Sequence, residues 1–428
     1  MISTFTFYIW VNQLDMIGVL VLSSIAFLVL AFKKNAIHAM PFLLNMLFII
    51  SRLDWGLETL PLYLLAIPIL TISGFVIHLI RFHEKWVYGH LTFPLILLLI
   101  GMILTVINHG VVDFYYFIYI ALGLLYFIFY LLFLQTIKGN QLEYLIKLFF
   151  VLGILVSAEV LYHYISSGDI AASLLADRVH LGWGLSNYVA TYLLIFIPAS
   201  VYFIKMKPLK FLTAIVIAFE IMMLLFTLSR GGVLAFIVMV PFMIIYIYHG
   251  QRSKFRVTMY LLMIMISLAV VFALRTDYFQ PLFDRFKELD FAEGNGRVDL
   301  WIQAYHKFKE HPLLGAGLLA RFEEGRYHFY HNTIMHTLAS FGIIGLASLV
   351  WQLIEVVIMF VKKANVQKSV LFLAIMAANI HGMVDNVYYQ LQFMALFFVI
   401  ISVVEAYNRE KEYTSRFWRL ENASTYEI

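Results

Sequence analysis

Three arginines border apolar runs in this chain: Arg178 in ADRVHLGWGLSNY, Arg230 in TLSRGGVLAF and Arg297 in GNGRVDLWIQA. A guanidinium stays charged at any working pH and grips phosphate oxygens through two parallel hydrogen bonds. Three of them converging on one face suit a lipid-linked phosphate or diphosphate. Taken singly, each also suits a helix cap or a lipid head group. Arg230 is followed by Gly231 and Gly232, which permit a tight turn and expose backbone N–H groups at a helix start, itself an anion site. A plain hairpin between two membrane helices uses the same residues. His331 and Asn332 lie just before a further apolar run. Imidazole can take a proton near neutral pH, which makes His331 a candidate general base. An interfacial histidine whose ring spans lipid and water is the plainer alternative. His328 and His336 are close by in sequence, but no second histidine falls at i, i+4 and no carboxylate completes a set, so a metal site is not expected.

Other ionisable groups lie within apolar runs: Glu159, Glu220, Glu355, and His381 with Asp385 in NIHGMVDN. Such residues are functional candidates by default. Glu220 stands about 15 Å along a helix from Arg230, too far to pair, and is expected to stabilise the bundle. Asp385 is expected near the same face as the arginines, where it can hold one of them.

The elements that position these groups follow from composition. Of 428 residues, 62% are hydrophobic and 13% charged, about half the charged share of a soluble domain, so a bilayer is the natural solvent. The absence of cysteine excludes disulfides, thiolate metal sites and a cysteine nucleophile. The net charge of +4 is not a nucleic-acid signal, because the cations sit in short loops. The start, MISTFTFYIW, lacks a basic region and a small-residue cleavage site and reads as mature sequence. Runs long enough to span fall near 14–33, 38–52, 59–80, 90–108, 113–136, 142–166, 185–205, 208–229, 231–250, 256–274, 333–361, 367–384 and 388–407. The expected fold is an all-α polytopic membrane protein of about 12–13 transmembrane helices. Alternate loops carry Lys33, Lys34, Arg81, Lys85, Lys138, Lys147, Lys205, Lys207, Lys210, Arg252, Lys254, Arg256, Lys362, Lys363 and Lys368. The other short loops hold Arg52, Arg178 and Arg230. Cytoplasmic loops collect Lys and Arg, so the first set is expected inside and the candidate site outside.

The expected organisation is an N-terminal bundle over 1–274, one large extracytoplasmic loop over 275–332, C-terminal membrane helices over 333–407 and a cytoplasmic tail over 408–428. Within the loop, Val298, Trp301, Ala304, Tyr305 and Phe308 recur at helical spacing, predicting an amphipathic helix on the membrane or the bundle. HPLLGAG at 311–317 should end it, since Pro312 opposes continuation and the glycines allow a turn.

At these residues the chain resembles the O-antigen ligase and O-antigen polymerase superfamily of bacterial cell envelopes. The likeness is centred on GRVDLWIQAYHKFKEHPLLGAGLLARF and HNTIMHTLASFGIIGLASL, with SRGG, DRVHLGWGLSNYVATYLLIFIP and HGMVDN as flanking elements. Arg297, Trp301, Pro312 to Gly317, His331, Asn332, Gly342 and Gly345 fit the family pattern in order. The resemblance covers about 178–390, and the first 170 residues match only in hydropathy.

The resemblance implies a GT-C-like, metal-independent membrane glycosyltransferase without a cofactor, working in the bacterial cytoplasmic (inner) membrane at its outer face. Its donor would be an oligosaccharide on undecaprenyl diphosphate, its acceptor another lipid-linked glycan (polymerase) or a lipid A-core or cell-wall acceptor (ligase). Other envelope-biosynthesis proteins would be its partners. His331 would deprotonate the acceptor hydroxyl, and Arg178, Arg230 and Arg297 would neutralise the leaving diphosphate. Direct displacement would invert the anomeric carbon. Asn332 would orient His331. Trp301 and Tyr305 would line the sugar or lipid entrance, although core packing or interface anchoring is the simpler reading of both, and the amphipathic helix would act as a lid. Two rivals use the same features. A polyprenyl-glycan transporter or flippase would place its charges near the bilayer midplane. A peptidoglycan-type polymerase would use a loop carboxylate such as Asp299 as base.

Overall fold

The computed structural model describes residues 1–50, 61–83, 86–109, 114–176, 178–206, 210–250, 253–287, 297–317 and 329–425. Arg52, Lys85, Lys207, Arg252 and His328 lie outside the described residues. The chain is an all-α polytopic membrane protein. Its helices, in order, are α1 (Ile2–Val11), α2 (Asp15–Phe32), α3 (Met40–Met46), α4 (Ala66–Phe82), α5 (Thr92–His109), α6 (Phe114–Thr136), α7 (Leu142–Ile165) and α8 (Ile170–Ala176). There follow α9 (Ser186–Met206), α10 (Lys210–Phe226), α11 (Arg230–Tyr248), α12 (Lys254–Leu274), α13 (Gln280–Lys287), α14 (Arg297–Glu310), α15 (Thr333–Val361), α16 (Val366–Gly382) and α17 (Leu391–Thr425). Lipid offers the backbone no hydrogen-bond partner, so apolar runs of this length close their bonds within the segment as helices.

Eight described stretches are long and apolar enough to cross a bilayer: Asp15–Phe32, Leu62–Phe82, Leu142–Ile165, Ser186–Lys205, Arg230–Tyr248, Lys254–Leu274, Thr333–Val361 and Leu391–Glu412. Shorter apolar helices at Thr92–Asn108, Gly123–Thr136 and Phe211–Phe226 fill further expected spans. The run at 38–52 differs. A 3-10 turn at Ala36–Ala39 leads into α3, only seven residues long. That is about 10 Å of helix against a core of about 30 Å. A helix the hydropathy scan passed over, α1, packs beside α7.

The bundle is organised around α9, which contacts α7, α10, α11 and α16. It is among the most enclosed of the candidate spans, whereas α12 is the least enclosed. The expected amphipathic helix is α14. It packs along α15, with Ala304 buried against Tyr330 and Ala339.

α15 is broken at Gly342, whose φ of 61° and ψ of −155° are not helical. The HPLLGAG segment fills that break. Ala316 N–H donates to the Ala339 carbonyl (2.7 Å) and Gly317 N–H to Ser340 (3.1 Å), while Ile343 N–H donates back to Pro312 (2.9 Å). A Cβ on Gly342 would stand 2.5 Å from the Leu313 carbonyl carbon, and one on Gly315 would stand 2.3 Å from the backbone of Phe341. The motif thus does more than end α14: it docks the loop helix into the kink of α15, and so fixes Arg297 relative to His331.

At the other end of the chain, α17 continues through 408–425. Its 35 residues amount to about 52 Å, well beyond the thickness of a hydrocarbon core.

Candidate active site

Four helix ends and two loops meet at one end of the bundle. Arg230 opens α11, capped by Ser229, whose hydroxyl accepts from Gly232 N–H (3.2 Å) and donates to Asn187 Oδ1 (2.8 Å) on the first turn of α9. The cap is the usual serine solution to unpaired N–H groups at a helix start. Gly232 lies against Ala190, so a side chain there would force α9 and α11 apart. Arg230 is half-buried and donates from Nη1 to the Arg285 carbonyl of α13 (2.9 Å).

Arg297 is the first residue of α14 and is half-buried. It donates no hydrogen bond among the described residues. Burial draws its guanidinium below the ordinary value, the Asp385 carboxylate opposes this, and the positive charges of Arg230 and Arg178 add to it. Asp385, Arg230 and Arg178 therefore all stand within electrostatic reach of Arg297, which sequence alone could not display. Arg178 is exposed, in the turn between α8 and α9. That turn is pinned by Trp10, which donates from Nε1 to the Leu181 carbonyl (2.9 Å), and by buried Trp183, which donates to Glu159 Oε2 (2.8 Å). Glu159 thus holds the Arg178 loop. Glu220 accepts from Ser200 (2.9 Å) and Glu355 faces His90 (2.7 Å), both away from the arginines in chain contact.

His331 has the left-handed φ of 46°, unusual for a residue with a side chain. Asn332 follows as the cap of α15. Its Oδ1 accepts from Ile334 N–H (2.9 Å) and Met335 N–H (3.0 Å), and its Nδ2 donates to the Met383 carbonyl (2.8 Å). Asn332 therefore ties the start of α15 to the loop after α16. That loop carries Asp385, whose Oδ1 lies 3.2 Å from His331 Nδ1.

Burial alone would raise the Asp385 carboxyl. The His331 hydrogen bond, the charges of His381 and His331, and the backbone N–H of Asn386 together hold it below its ordinary value. An ionised carboxylate only accepts, so Nδ1 of His331 carries a proton, and in the neutral imidazole Nε2 is then the nitrogen with the lone pair. The Asp385 side chain is 3% exposed and that of His331 40%. A buried carboxylate thus orients an imidazole that solvent and substrate can reach, the arrangement of a base with its orienting partner.

His381 supports the same corner. Thr191 donates its only hydroxyl hydrogen to the Asn187 carbonyl (2.9 Å), so it accepts from His381 Nδ1 (2.8 Å). The far edge of the ring rests against Gly231, where a Cβ would come 3.2 Å from Nε2. His381 is also within electrostatic reach of Asp385 and Arg297.

Residues 213–350 match the family model described as O-antigen ligase. Over those residues the chain is similar to the O-antigen ligase family. The matched stretch runs from α10 into α15 and contains Arg230, Arg297 and His331, whereas Arg178 and Asp385 lie outside it. A comparison with curated proteins returns no match.

The remaining expected site residues take distinct places. Trp301 is half-buried on α14, and its buried indole N–H has no partner among the described residues. Tyr305 is exposed, its ring 4.5 Å from the Lys309 ammonium. Asp299 is exposed on the same helix. His336 is packed in a buried box formed by Phe329, Tyr330 and Tyr389. Sequence reasoning expected Asp385 to hold an arginine, whereas its hydrogen-bond partner is His331, and it passed over Asn187 and Thr191. Polar side chains at the entry of an otherwise apolar span were the available signal.

Proposed function

We propose that this protein is a metal-independent, inverting glycosyltransferase that polymerises undecaprenyl-diphosphate-linked oligosaccharides at the outer face of the cytoplasmic membrane. The observation that carries the proposal is the His331–Asp385 pair standing beside Arg297, Arg230 and Arg178. Nε2 of His331 takes the proton of an acceptor hydroxyl as its oxygen attacks the anomeric carbon of the donor. The bond from that carbon to the diphosphate oxygen breaks, and undecaprenyl diphosphate leaves. Asp385 stabilises the imidazolium that forms, and the arginines stabilise charge developing on the leaving group, where preorganised donors are most effective. The α11 start adds backbone N–H groups to the same anion site. The acceptor is a second lipid-linked glycan. The positive-inside distribution of Lys and Arg supports the outer face, and the family match supports the substrate class.

The test is purified protein in nanodiscs given one undecaprenyl-diphosphate oligosaccharide and no other acceptor, with products resolved by chain length. A ladder that His331→Ala abolishes and a chelator leaves intact is the expected result. Transfer only after a lipid A-core or wall acceptor is added would make the protein a ligase. Movement of the lipid-linked glycan across the bilayer without any transfer would make it a transporter.

A further inference from the structure

The HPLLGAG segment lies deeper in the bundle than a plain surface loop. Two neighbours fix its place. Ile343 N–H donates to the Pro312 carbonyl (2.9 Å) and Ile344 N–H to that of Leu313 (3.3 Å). On α5, Thr105 Oγ1 stands 2.5 Å from the Leu314 carbonyl oxygen and 2.8 Å from that of Gly101, so its one hydrogen is shared between them. Two rulers measure the depth from the end of the bundle that carries Lys362 and Lys363. Gly342 lies twenty residues before Lys362 on α15, about 30 Å of helix. Thr105 lies thirteen residues beyond Thr92, the first residue of α5, about 20 Å of helix. Thr92 follows His90, which faces Glu355 near the same end of α15 (2.7 Å). A hydrocarbon core is about 30 Å thick, so both rulers place the segment in the leaflet on the arginine side, and helix tilt only brings it deeper.

Surface and backbone agree with that depth. Ile343, Val350, Ile354 and Val357 recur along one exposed face of α15, the face a membrane span turns to lipid. Leu313 is 64% exposed and its carbonyl accepts from Ile344, so it stands at the arginine end of this stripe. Lipid offers no hydrogen-bond partner, so non-helical backbone at this depth must find partners within the protein. The carbonyls of Pro312, Leu313 and Leu314 all accept bonds, Pro312 has no N–H to satisfy, and Gly315 N–H donates to the His311 carbonyl (2.8 Å). Just before the segment, the Lys309 ammonium lies 4.5 Å from the Tyr305 ring, an aromatic and a cation of the kind that collect at head groups. We propose that HPLLGAG is a re-entrant tip, with Leu313 seated among the acyl chains of the leaflet on the arginine side and Tyr305 and Lys309 at its head groups. Lipid covers the exposed face of this segment, and α14, with Arg297 at its far end, is anchored to the leaflet as well as to α15.

The chain has no cysteine, so a single introduced thiol can carry a nitroxide label. Collision of the label with oxygen, which enters lipid, or with a water-soluble nickel chelate then reports its depth in nanodiscs. The references are Val350→Cys, on the exposed stripe of α15, and Ser166→Cys, on the exposed turn after α7. Leu313→Cys should give an oxygen-to-chelate ratio within about threefold of Val350→Cys and more than about tenfold above Ser166→Cys, as expected for a site inside the hydrocarbon core. A ratio closer to that of Ser166→Cys overturns the inference. A second pair of variants asks the same of unlabelled protein. Leu313→Asp should melt below wild type in nanodiscs, because a carboxylate among acyl chains is costly, whereas Leu313→Phe should melt with wild type. Equal melting of the two variants would put position 313 in water and overturn the inference as well. None of these readouts uses glycan transfer, so the inference stands or falls apart from the function proposed above.

Discussion

Lys368 and Arg297 mark opposite ends of one bundle, separated by the length of α16, and the fold treats the two charges differently. Lys368 is buried, and its ammonium donates to the carbonyls of Met359 (2.6 Å) and Lys362 and to Asn408 Oδ1 (3.0 Å). It caps the C-terminal end of α15, where unpaired carbonyls and the helix dipole both favour a cation. At the same end Lys205 donates to the Tyr246 carbonyl (2.8 Å), and Lys362 pairs with Glu412. Arg297 sits at a helix start, where the dipole disfavours it, and donates no hydrogen bond among the described residues. A charge whose donors are all used closes a fold. A charge kept half-buried beside two like charges and one carboxylate is held at a cost, which an anionic ligand relieves.

That contrast is broken or sharpened by substitutions at each end. The largest effect is expected at His331. His331→Ala should lower the transfer rate about 10²–10⁴-fold, the usual worth of a general base, with donor binding kept. Asp385→Asn should cost a comparable factor of about 10³, because an amide no longer enforces the tautomer that leaves Nε2 bare.

Arg297→Lys should reduce kcat/KM about 10–100-fold, since an ammonium cannot reproduce a two-pronged grip on phosphate. Near-normal activity would make Arg297 a generic charge like those at the lysine end.

Gly342→Ala should destabilise the protein by about 1–3 kcal/mol through backbone strain alone. The added Cβ also meets the Leu313 backbone, so the docked HPLLGAG segment should loosen and activity fall together with thermal stability. At the lysine end, Lys368→Met should cost about 1.5–3 kcal/mol in lost charged hydrogen bonds while the folded fraction keeps wild-type kcat. A selective loss of kcat there would erase the difference between the ends.

The smallest effect concerns pH. The Asp385 carboxyl is held lower in the fold than in the unfolded chain, so it adds stability above the unfolded value, about 3.9, and that contribution disappears as pH falls through the folded value. Wild type should therefore lose its stability advantage over Asp385→Asn progressively below about pH 4, read from thermal unfolding in detergent.

The sequence carried most of the architecture because lipid leaves an apolar run little choice but a helix, and the expected runs coincide with helices except at 38–52. Pro41 starts a helix there that ends after Met46, which a hydropathy window averages away. The chemistry-bearing residues were legible as types: guanidiniums at apolar borders, and a histidine before a span. Their pairings were not. Asp385 lies 54 positions from His331 in the chain, and the bonds of Asn332 to the Met383 carbonyl and of Thr333 to the Asp385 carbonyl bring the two together. Asn187 looked like part of an ordinary helix entry, yet its carbonyl and side chain hold Thr191 and Ser229, which in turn set His381 and the Arg230 turn. The break in α15 was equally hidden, since TLASFGIIGLASL reads as one continuous helix until the HPLLGAG segment is laid against Gly342.

The central claim is that His331 and Asp385 act as one unit in proton transfer. The measurement that tests it is a double-mutant cycle on the transfer rate, with wild type, His331→Ala, Asp385→Asn and the double variant assayed on the same lipid-linked donor. If the pair is a unit, the double variant is no slower than His331→Ala alone, because Asp385 has nothing left to orient. If the two losses multiply, Asp385 acts independently of His331 and the two do not form one unit.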